Sequence, residues 1–386
     1  MKISHIKLHL VSAARRTGIV NYHVIVHLET TSGAIGWGEM SDLSHFPMYQ
    51  FDIPLLEKTL NQLLVGRDPR NLAAMDAMFA ELFPPENHKY GRSGLVRQGI
   101  ELACLDLIGR EDGVPVHSLL GGKVRDKIKV CYPIFRQRSE ADIAPNLERI
   151  EAMLALGFDL YRVYVGANVD VDILFFQQMR ERFGDTVKIK SIDFSNLMHW
   201  RQTLLAVDRI AEITDFMLIE SPAYVDDLEG LAEFTRRSRY PVSEHVNSLS
   251  HAYTFVRQDC VDILNVSPYV MGGIRACLKV VALAEASHKS VLIGTTQELN
   301  LGTAAVAHLG ATASVLDYPS DNTGPMLYVD HIVKQPLPYE NGYLIVPDGV
   351  GLGVEPDETV LQSREKPFDW GFGSDFRGLI DRTPSK

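Results

Sequence analysis

The first third of the chain reads as strands followed by helices. Apolar and polar positions alternate in three stretches, so strands are predicted at residues 1–12, 21–30 and 34–39. Apolar residues then recur every three to four positions, so helices are predicted at residues 51–65, 70–82 and 93–110. This order predicts an α+β domain over residues 1–122 that ends at Gly121-Gly122.

Beyond residue 123 the pattern changes to short apolar strands separated by helical stretches. Eight strands are predicted, at residues 130–135, 160–166, 187–194, 216–221, 240–245, 261–266, 290–295 and 314–318. This alternation favours an α/β fold with a parallel barrel over residues 123–335, and an open doubly wound sheet is the alternative. Residues 336–386 contain turns and short strands, and we expect this C-terminal segment to pack back on the N-terminal domain.

Composition and charge exclude several classes of protein. The 386 residues are 46% hydrophobic and 23% charged, which is typical of a soluble enzyme with more than one domain. The net charge of −11 argues against nucleic acid or an anionic membrane as the main partner. The sequence shows no apolar run long enough to span a membrane, and its first residues alternate like a strand, so we expect no signal peptide. Four widely separated cysteines suggest neither a zinc site nor a disulfide framework, so we expect a cytoplasmic protein.

Three carboxylates follow consecutive barrel strands. Asp193, Glu220 and Glu244 each come directly after an apolar strand, about one β/α unit apart. The C-terminal ends of barrel strands form the active face, so these acids are expected to converge there. Converging carboxylates repel one another unless a hard cation binds them, and Mg²⁺ prefers oxygen ligands. The alternative is that each acid separately caps a helix or meets a nearby cation.

Five further stretches are characteristic when they are taken together with these acids. They are GAIGWGE (33–39), IELACLDLIGREDGVPVHSLLGG (100–122), MGGIRACLKVVALAEA (271–286), QELNLGTAAVAHLGA (297–311) and TGPMLYVDHIV (323–333). Through them the chain resembles the enolase superfamily, specifically its mandelate racemase and muconate-lactonizing branch. The resemblance implies an α+β capping domain over a modified (β/α)7β barrel of the TIM type.

The resemblance also implies a chemistry. It implies one Mg²⁺ per chain, bound by Asp193, Glu220 and Glu244, and removal of a proton α to a carboxylate. That proton is weakly acidic, and its removal adds negative charge to the carboxylate oxygens. A dication at those oxygens would stabilise the resulting enediolate by several kcal/mol.

The general base is expected at the end of the second barrel strand. Members of the superfamily commonly carry Lys-x-Lys there, where this chain has Arg162-Val163-Tyr164. Alternation puts Arg162 and Tyr164 on one face of the strand. Because an adjacent guanidinium favours phenolate, we predict that Tyr164 is the base and that Arg162 tunes it. Alternatively, Arg162 binds the substrate carboxylate and Tyr164 only forms a hydrogen bond.

A second strong base is missing from the sequence pattern. The sixth strand carries Ser267 where relatives offer Lys or Asp, and the seventh ends without a histidine. His245 directly follows Glu244 and suits acid catalysis near neutral pH. It is predicted to protonate a leaving hydroxide or, alternatively, to support a ligand carboxylate. Racemisation and epimerisation need acid/base groups on both faces of the substrate, so the lack of a second strong base disfavours these two reactions.

Six residues are predicted to bind the substrate. They are Arg15 and Arg16 in a loop of the N-terminal domain, Asn196 and Ser267 after the third and sixth strands, Glu298 after the seventh strand and Asp321 after the eighth. The arginines suit an anionic or polyhydroxy substrate, although solvated surface arginines are equally common. Asn196 alternatively caps a helix. Ser44, His45 and Phe46 lie in a second loop that is expected to face the site.

These features together predict a Mg²⁺-dependent lyase. We expect it to dehydrate a hydroxylated carboxylic acid, such as an acid sugar, because dehydration needs only one strong base. An isomerase of the same superfamily, either a cycloisomerase or an epimerase, is the first alternative. A homologue that binds a metal and a ligand without catalysis is the second. We expect a small carboxylate substrate and a homo-oligomer.

Overall fold

The N-terminal domain is an antiparallel sheet covered by helices. The computed structural model describes residues 1–41, 52–86 and 91–365, so the predictions for residues 44–46 and 366–386 lie outside the described residues. The strands are β1 (Ile3–Ala14), β2 (Val20–Thr30) and β3 (Ile35–Met40), in the order β1-β2-β3. The helices are α1 (Ile53–Leu64), α2 (Leu72–Leu82), α3 (Arg92–Asp112) and α4 (Val116–Leu119). This is the predicted α+β order.

The long helix α3 lies directly against β3 because the facing residues are small. A Cβ on Gly38 would stand 2.1 Å from the carbonyl oxygen of Gly99, and one on Gly36 would stand 2.1 Å from that of Ala103. No side chain fits at such distances, so this close approach explains both glycines. Trp37 lies between them, on the opposite face of the strand, and joins the core of the barrel.

Seven parallel strands form the second domain. They are β5 (Tyr132–Ile134), β6 (Leu160–Tyr164), β7 (Lys188–Asp193), β8 (Phe216–Glu220), β9 (Val242–His245), β10 (Ile263–Val266) and β11 (Ser290–Ile293). Neighbouring strands in the sheet are consecutive in the chain, whereas a doubly wound sheet reverses its order at a switch point. The barrel prediction is therefore confirmed against the open-sheet alternative.

Helices alternate with these strands along the chain. They are α5 (Ile143–Leu154), α6 (Val169–Phe183), α7 (Trp200–Ala211), α8 (Leu228–Arg237), α9 (Leu249–Gln258), α10 (Pro268–Met271), α11 (Ile274–Ser287) and α12 (Asn300–Thr312). One apolar core joins the barrel strands to these helices, and a second lies within the N-terminal domain. Across the described ranges, we find no helix with the length and apolar character needed to cross a bilayer.

An irregular eighth segment closes the barrel, and the predicted strand at residues 314–318 is wrong. Those residues form no strand. Instead, Ser320 pairs with Val130 beside the first strand, and the N–H of Asp321 donates to the carbonyl of Ile293 at 2.9 Å on the seventh. The apolar run that suggested a strand lies a few residues too early, because polar residues make the closing contacts.

The C-terminal segment contacts both domains. Its elements are β12 (Tyr339–Glu340), β13 (Tyr343–Ile345) and α13 (Glu358–Arg364). The hairpin β12–β13 pairs with β4 (Lys127–Lys129), which leads into the barrel. Beyond α13, Glu365 pairs with Val11 of the N-terminal sheet. We predicted only the contact with the N-terminal domain, and the structure adds the contact with the barrel.

Glu101 of α3 provides a pH-dependent contact between the domains. Its Oε1 accepts from the N–H of Arg275 at 3.1 Å, and this hydrogen bond lowers the pKa of Glu101. Burial outweighs the hydrogen bond and raises the pKa to about 7. A folded pKa above the unfolded value means that this group's stabilisation is full below about pH 4.5 and is lost as the pH rises through about 7.

Glu101→Gln is therefore expected to raise the free energy of unfolding at pH 8 by about 1–3 kcal/mol, because the amide needs no charge to be buried. At pH 4.5 the variant and the parent should be nearly equal. Urea unfolding at both pH values measures the difference. Glu111→Gln, on the exposed part of the same helix, is the control and should change neither value. Equal stability of the Glu101→Gln variant and the parent at pH 8 would contradict this account.

Candidate active site

Three polar residues stand side by side where consecutive barrel strands end. The register of β6 with β7 pairs Tyr164 with Asp193, and that of β7 with β8 pairs Asp193 with Glu220. Side chains alternate along a strand, so residues paired in this way face the same side of the sheet. The predicted base and two predicted metal ligands therefore share one face at the C-terminal mouth of the barrel.

Glu220 is fully buried, and its Oε1 contacts side chains from three other strands. Its Oε1 lies 3.4 Å from Nη1 of Arg162, 3.3 Å from Nε2 of His245 and 3.2 Å from Nδ2 of Asn265. Burial alone would raise the pKa of this carboxyl. The charge of Arg162 and the contact with His245 outweigh burial and hold the pKa well below its ordinary value. Glu220 is thus an ionised carboxylate at the centre of the mouth.

Glu244 is turned toward a neighbouring loop. Its Oε2 accepts from Nδ2 of Asn196 at 2.7 Å, and its Oε1 accepts from the hydroxyl of Ser221 at 2.9 Å. Asn196 and Ser221 hold φ angles of 59° and 51°, the left-handed conformation that is often found at functional sites. Asn196 thus holds Glu244, and its predicted contact with substrate stays a prediction. Within the part of the chain that the structure describes, no three His, Cys, Asp or Glu side chains are gathered for a metal ion.

The register of β9 explains the direction of Glu244. Ser243 pairs with Glu220, so Ser243 and His245 share the inner face and Glu244, between them, does not. His245 therefore faces inward, with Nε2 against Glu220.

The side chains at the mouth nevertheless suit Mg²⁺, because they offer oxygen ligands and carry net negative charge. The buried acids are Asp193, Glu220, Glu244 and Asp321, and the buried cations beside them are Arg162 and Lys190. A formal excess of two negative charges in a buried site of oxygen ligands is what a hard dication neutralises. Asp321 is paired with both cations, and Arg162 is also paired with Glu220. The ligand set of Asp193, Glu220 and Glu244 stays a prediction.

Arg162 holds the hydroxyl of Tyr164. Its Nη1 lies 3.0 Å from Oδ2 of Asp321, and its Nη2 donates to the phenol oxygen. The Tyr164 ring is parallel to that of Phe135, with centroids 6.2 Å apart. Burial would lower the pKa of Arg162, but Asp321 and the other anionic neighbours raise it well above its ordinary value. The phenol oxygen is therefore held against a permanent positive charge, which favours phenolate.

Sequence analysis missed Lys190, a fully buried lysine on β7. Its Nζ forms an ion pair with Oδ1 of Asp321, and Sγ of Cys131 lies 2.9 Å from the same oxygen. Burial would lower the pKa of Lys190, but Asp321 raises it to about 12. Asp321 is only 1% exposed and is the counter-ion of two cations, and its predicted contact with substrate hydroxyls stays a prediction.

Glu298 is tied to its own loop. The hydroxyl of Thr295 donates to it, and the N–H of Thr296 donates to Oε1 at 2.9 Å. Burial raises the pKa of Glu298 above its ordinary value. Its predicted contact with substrate stays a prediction.

A buried network that sequence analysis missed joins this loop to the N-terminal domain. Glu39, at the end of the GAIGWGE motif, accepts from the N–H groups of Leu299 and Gly302, each at 2.8 Å. His23 bridges Glu39 and the hydroxyl of Tyr328, at 3.1 and 3.0 Å. A carboxylate of one domain thereby caps the N-terminal turn of α12 in the other.

Arg15 and Arg16 contact the segment that follows the barrel. Arg15 pairs with Tyr328 through the backbone, and its guanidinium lies 6.0 Å from the Tyr328 ring. Nε of Arg16 donates to the carbonyl of Met326 at 3.1 Å. Both predicted substrate arginines are thus held against the barrel domain, and their contact with substrate stays a prediction.

Known proteins resemble the chain over nearly all of its length. Residues 4–121 match the family described as mandelate racemase / muconate lactonizing enzyme, N-terminal domain, and residues 147–360 match enolase C-terminal domain-like proteins. An N-succinyl-L-Arg/Lys racemase of Bacillus cereus is 25% identical, covering 94% of this chain and 97% of its own. Muconate cycloisomerase 1 of Acinetobacter baylyi is also 25% identical, covering 88% and 90%. The solved structure of muconate cycloisomerase from Pseudomonas fluorescens has a TM-score of 0.83 at 26% identity, covering 95% and 99%.

Proposed function

Because this chain belongs to the mandelate racemase and muconate-lactonizing branch of the enolase superfamily, we propose that it is an isomerase that removes and returns a proton α to a carboxylate. Members of this family generally use Mg²⁺. The two similar proteins named above are a racemase and a cycloisomerase, and both are isomerases by name. The finer assignment depends on the groups around Glu220.

One observation carries the proposal: a proton-transfer group lies on each side of Glu220. Tyr164 reaches it from β6 through Arg162, and His245 reaches it from β9 at 3.3 Å. In a barrel with eight positions, the second and fifth strands stand three positions apart, so Tyr164 and His245 approach the mouth from different sides. A substrate carbon above Glu220 would therefore meet Tyr164 on one face and His245 on the other. This supports a two-group mechanism, which the sequence analysis disfavoured.

Each side chain then has a defined task. Tyr164, as phenolate beside Arg162, takes the α-proton from one face, and His245 returns a proton to the opposite face. In the reverse direction the two exchange roles. Nε of Arg162 is buried and has no hydrogen-bond partner among the described residues, so it is available to the substrate carboxylate. When bound, Mg²⁺ supplies positive charge that stabilises negative charge developing on the carboxylate oxygens.

A dehydratase acting on a hydroxylated carboxylic acid, such as an acid sugar, is the second candidate. One observation favours it: the sixth strand presents the neutral Ser267, which is suited to a hydroxyl group. Tyr164 would then take the α-proton, His245 would protonate the leaving hydroxide, and the product would tautomerise to a 2-keto acid. The names of the relatives favour the isomerase.

A panel of substrates tests the proposal. N-acylated L-amino acids, dipeptides, muconate and acid sugars are incubated with the protein and Mg²⁺, and optical rotation, lactone formation and 2-keto acid formation are followed. The isomerase is supported if optical rotation is lost, or if a lactone forms, while no 2-keto acid appears. Formation of a 2-keto acid establishes the lyase instead. No reaction with any compound would contradict both.

His245→Asn separates the two faces of the site. The variant is expected to slow conversion between the two stereoisomers by about 10²-fold or more, because one of two proton-transfer groups is lost. Exchange of the α-proton with solvent should continue from the stereoisomer that Tyr164 serves. Proton NMR of each stereoisomer in D₂O measures this difference.

His251→Asn is the matched control, because His251 lines the pocket beside His245 but lies in α9, outside the barrel strands. It should keep both activities. Unchanged conversion between stereoisomers in His245→Asn would show that His245 only supports Glu220.

A further inference from the structure

The register between β6 and β7 is interrupted at Lys190. Tyr161 of β6 pairs with Ile189, but the next residue of β6, Arg162, pairs with Ser191. Two residues of β7, Lys190 and Ser191, thus stand against Arg162, which is a β-bulge. Bulges redirect side chains and are common beside active sites, so the direction of Lys190 needs an explanation.

The bulge brings two adjacent side chains into the barrel. Lys190 and Ser191 are both fully buried. Nζ of Lys190 lies 2.5 Å from Oδ1 of Asp321, and Oγ of Ser191 lies 3.5 Å from Oε2 of Glu220. In a regular strand neighbouring side chains point to opposite faces, so strict alternation with Ser191 would have placed Lys190 among the surrounding helices.

Stability does not explain a buried charge at this position. Taking an ion out of water is unfavourable, and replacing a buried ion pair by apolar side chains of similar volume is often neutral or stabilising. Burial would lower the pKa of Lys190, but Asp321 raises it to about 12, so Lys190 is charged throughout the neutral range. A permanent charge inside the barrel therefore points to an effect on its neighbours.

Asp321 divides its negative charge between two cations. Its Oδ1 pairs with Lys190, and its Oδ2 lies 3.0 Å from Nη1 of Arg162. The three side chains together carry a formal net charge of +1, and Nη2 of Arg162 donates to the hydroxyl of Tyr164. Without Lys190, Asp321 would neutralise Arg162 alone and draw the guanidinium toward itself. Glu220 also lies 3.4 Å from Arg162, but the loss of Lys190 leaves that pair in place.

We propose that Lys190 is a positioning residue, which holds Asp321 so that Arg162 keeps its guanidinium and its charge at the hydroxyl of Tyr164. Lys190 is fully buried and acts through these two side chains. The inference rests on the proposed function, because it takes Tyr164 as the general base. It applies equally to the isomerase and the dehydratase, since Tyr164 takes the α-proton in both.

The first test removes the charge of Lys190 and keeps its length. Lys190→Met is expected to lower kcat for α-proton exchange about 10²-fold, because a catalytic group that is displaced by about 1 Å loses roughly this factor. KM should change less than kcat. Proton NMR in D₂O over a range of substrate concentrations, with Mg²⁺ present, measures both. Lys188→Met is the matched control, because this exposed lysine of the same strand also pairs with an aspartate, Asp159, and it should change neither value.

A second substitution distinguishes a role of charge from a role of packing. Adding Asp321→Asn to Lys190→Met removes both charges of the ion pair, so Arg162 again directs its full charge at Tyr164. Exchange should return to within about tenfold of the parent rate. If Lys190 only fills space, the second substitution gives no such recovery. Thermal unfolding establishes that each protein is folded, and Lys190→Gln replaces Lys190→Met in both proteins if the methionine variant is not.

The state of Tyr164 can also be measured without turnover. The protein is labelled with ¹³C at Cζ of its tyrosines, and the signal of Tyr164 is identified by its absence from the Tyr164→Phe protein. The chemical shift of this carbon depends on ionisation and hydrogen bonding of the phenol. At neutral pH, with Mg²⁺ present, the signal should move toward that of free tyrosine in Lys190→Met and return in the double variant.

Each result decides one point. A kcat of Lys190→Met within about threefold of the parent, or a double variant no faster than Lys190→Met, would overturn the inference. The proposed function would still stand if Tyr164→Phe loses exchange. If no compound exchanges with the parent protein, the proposed function fails and the Tyr164 signal alone decides: a shift in Lys190→Met that the double variant reverses supports the inference, and an unmoved signal overturns it.

Discussion

Replacing Tyr164 by phenylalanine is expected to slow α-proton exchange by about 10²–10⁴-fold, the range that is typical of a lost general base. The variant lacks only the hydroxyl that Arg162 contacts, so the ring should keep its place beside Phe135. Substrate binding should therefore change little. Rates of exchange from proton NMR and binding constants from calorimetry measure the two effects separately.

Tyr161→Phe is the control for Tyr164→Phe. Tyr161 lies on the same strand, but its hydroxyl contacts the carbonyls of Ile150 in α5 and of Phe158 in the loop after it, away from the mouth. Its loss should lower stability and leave exchange intact. An exchange rate of Tyr164→Phe within about tenfold of the parent would contradict the assignment of the base. The alternative in which Arg162 binds the substrate carboxylate and Tyr164 only forms a hydrogen bond would then hold.

Asp193→Asn is expected to weaken Mg²⁺ binding and to reduce exchange by about 10³-fold, which corresponds to several kcal/mol of lost stabilisation. The amide cannot supply the negative charge that attracts a dication, although it fills the same space. The N–H of Ser195, which donates to Oδ1 of Asp193 at 2.7 Å, still has an acceptor in the variant. Calorimetric titration of the chelator-treated protein with Mg²⁺ gives a measurement that does not depend on activity.

Asp330→Asn, at an exposed carboxylate paired with Arg364, is the control for the loss of one negative charge. It should leave both Mg²⁺ binding and exchange unchanged. If Asp193→Asn binds Mg²⁺ as tightly as the parent does, Asp193 is not a ligand, and the metal prediction must be abandoned at that position.

The positions of the acids could be predicted from the sequence, but the direction of each side chain could not. A carboxylate that directly follows an apolar barrel strand lies at the mouth of the barrel, and this prediction is confirmed for Asp193 and Glu220. Whether Glu244 or His245 faces inward depends on the pairing of Ser243 with Glu220. A shift of one residue in register reverses the two faces, and the sequence of one strand does not contain that register.

Buried charges and contacts between distant residues were also beyond the sequence. Lys190 lies in a strand between Ile189 and Ser191, and a lysine there is ordinarily solvated, because only a counter-ion compensates its burial. That counter-ion, Asp321, comes from the segment that closes the barrel. Likewise, Glu39 caps α12 from the other domain, although nothing near it in the sequence indicates the partner. By contrast, the α+β order of the first domain and the alternation of strands and helices in the second were predictable, since both follow from local periodicity.

The central claim, reversible removal of a proton α to a carboxylate, is tested most directly by deuterium incorporation. The wild-type protein with Mg²⁺ is incubated in D₂O with the compounds of the substrate panel that carry an α-proton, and the α-proton signal is followed by NMR. The account predicts that this signal disappears from at least one class of compound while its other carbon-bound proton signals remain, and that Mg²⁺ chelation stops the loss. Retention of the α-proton in every compound that binds would contradict it.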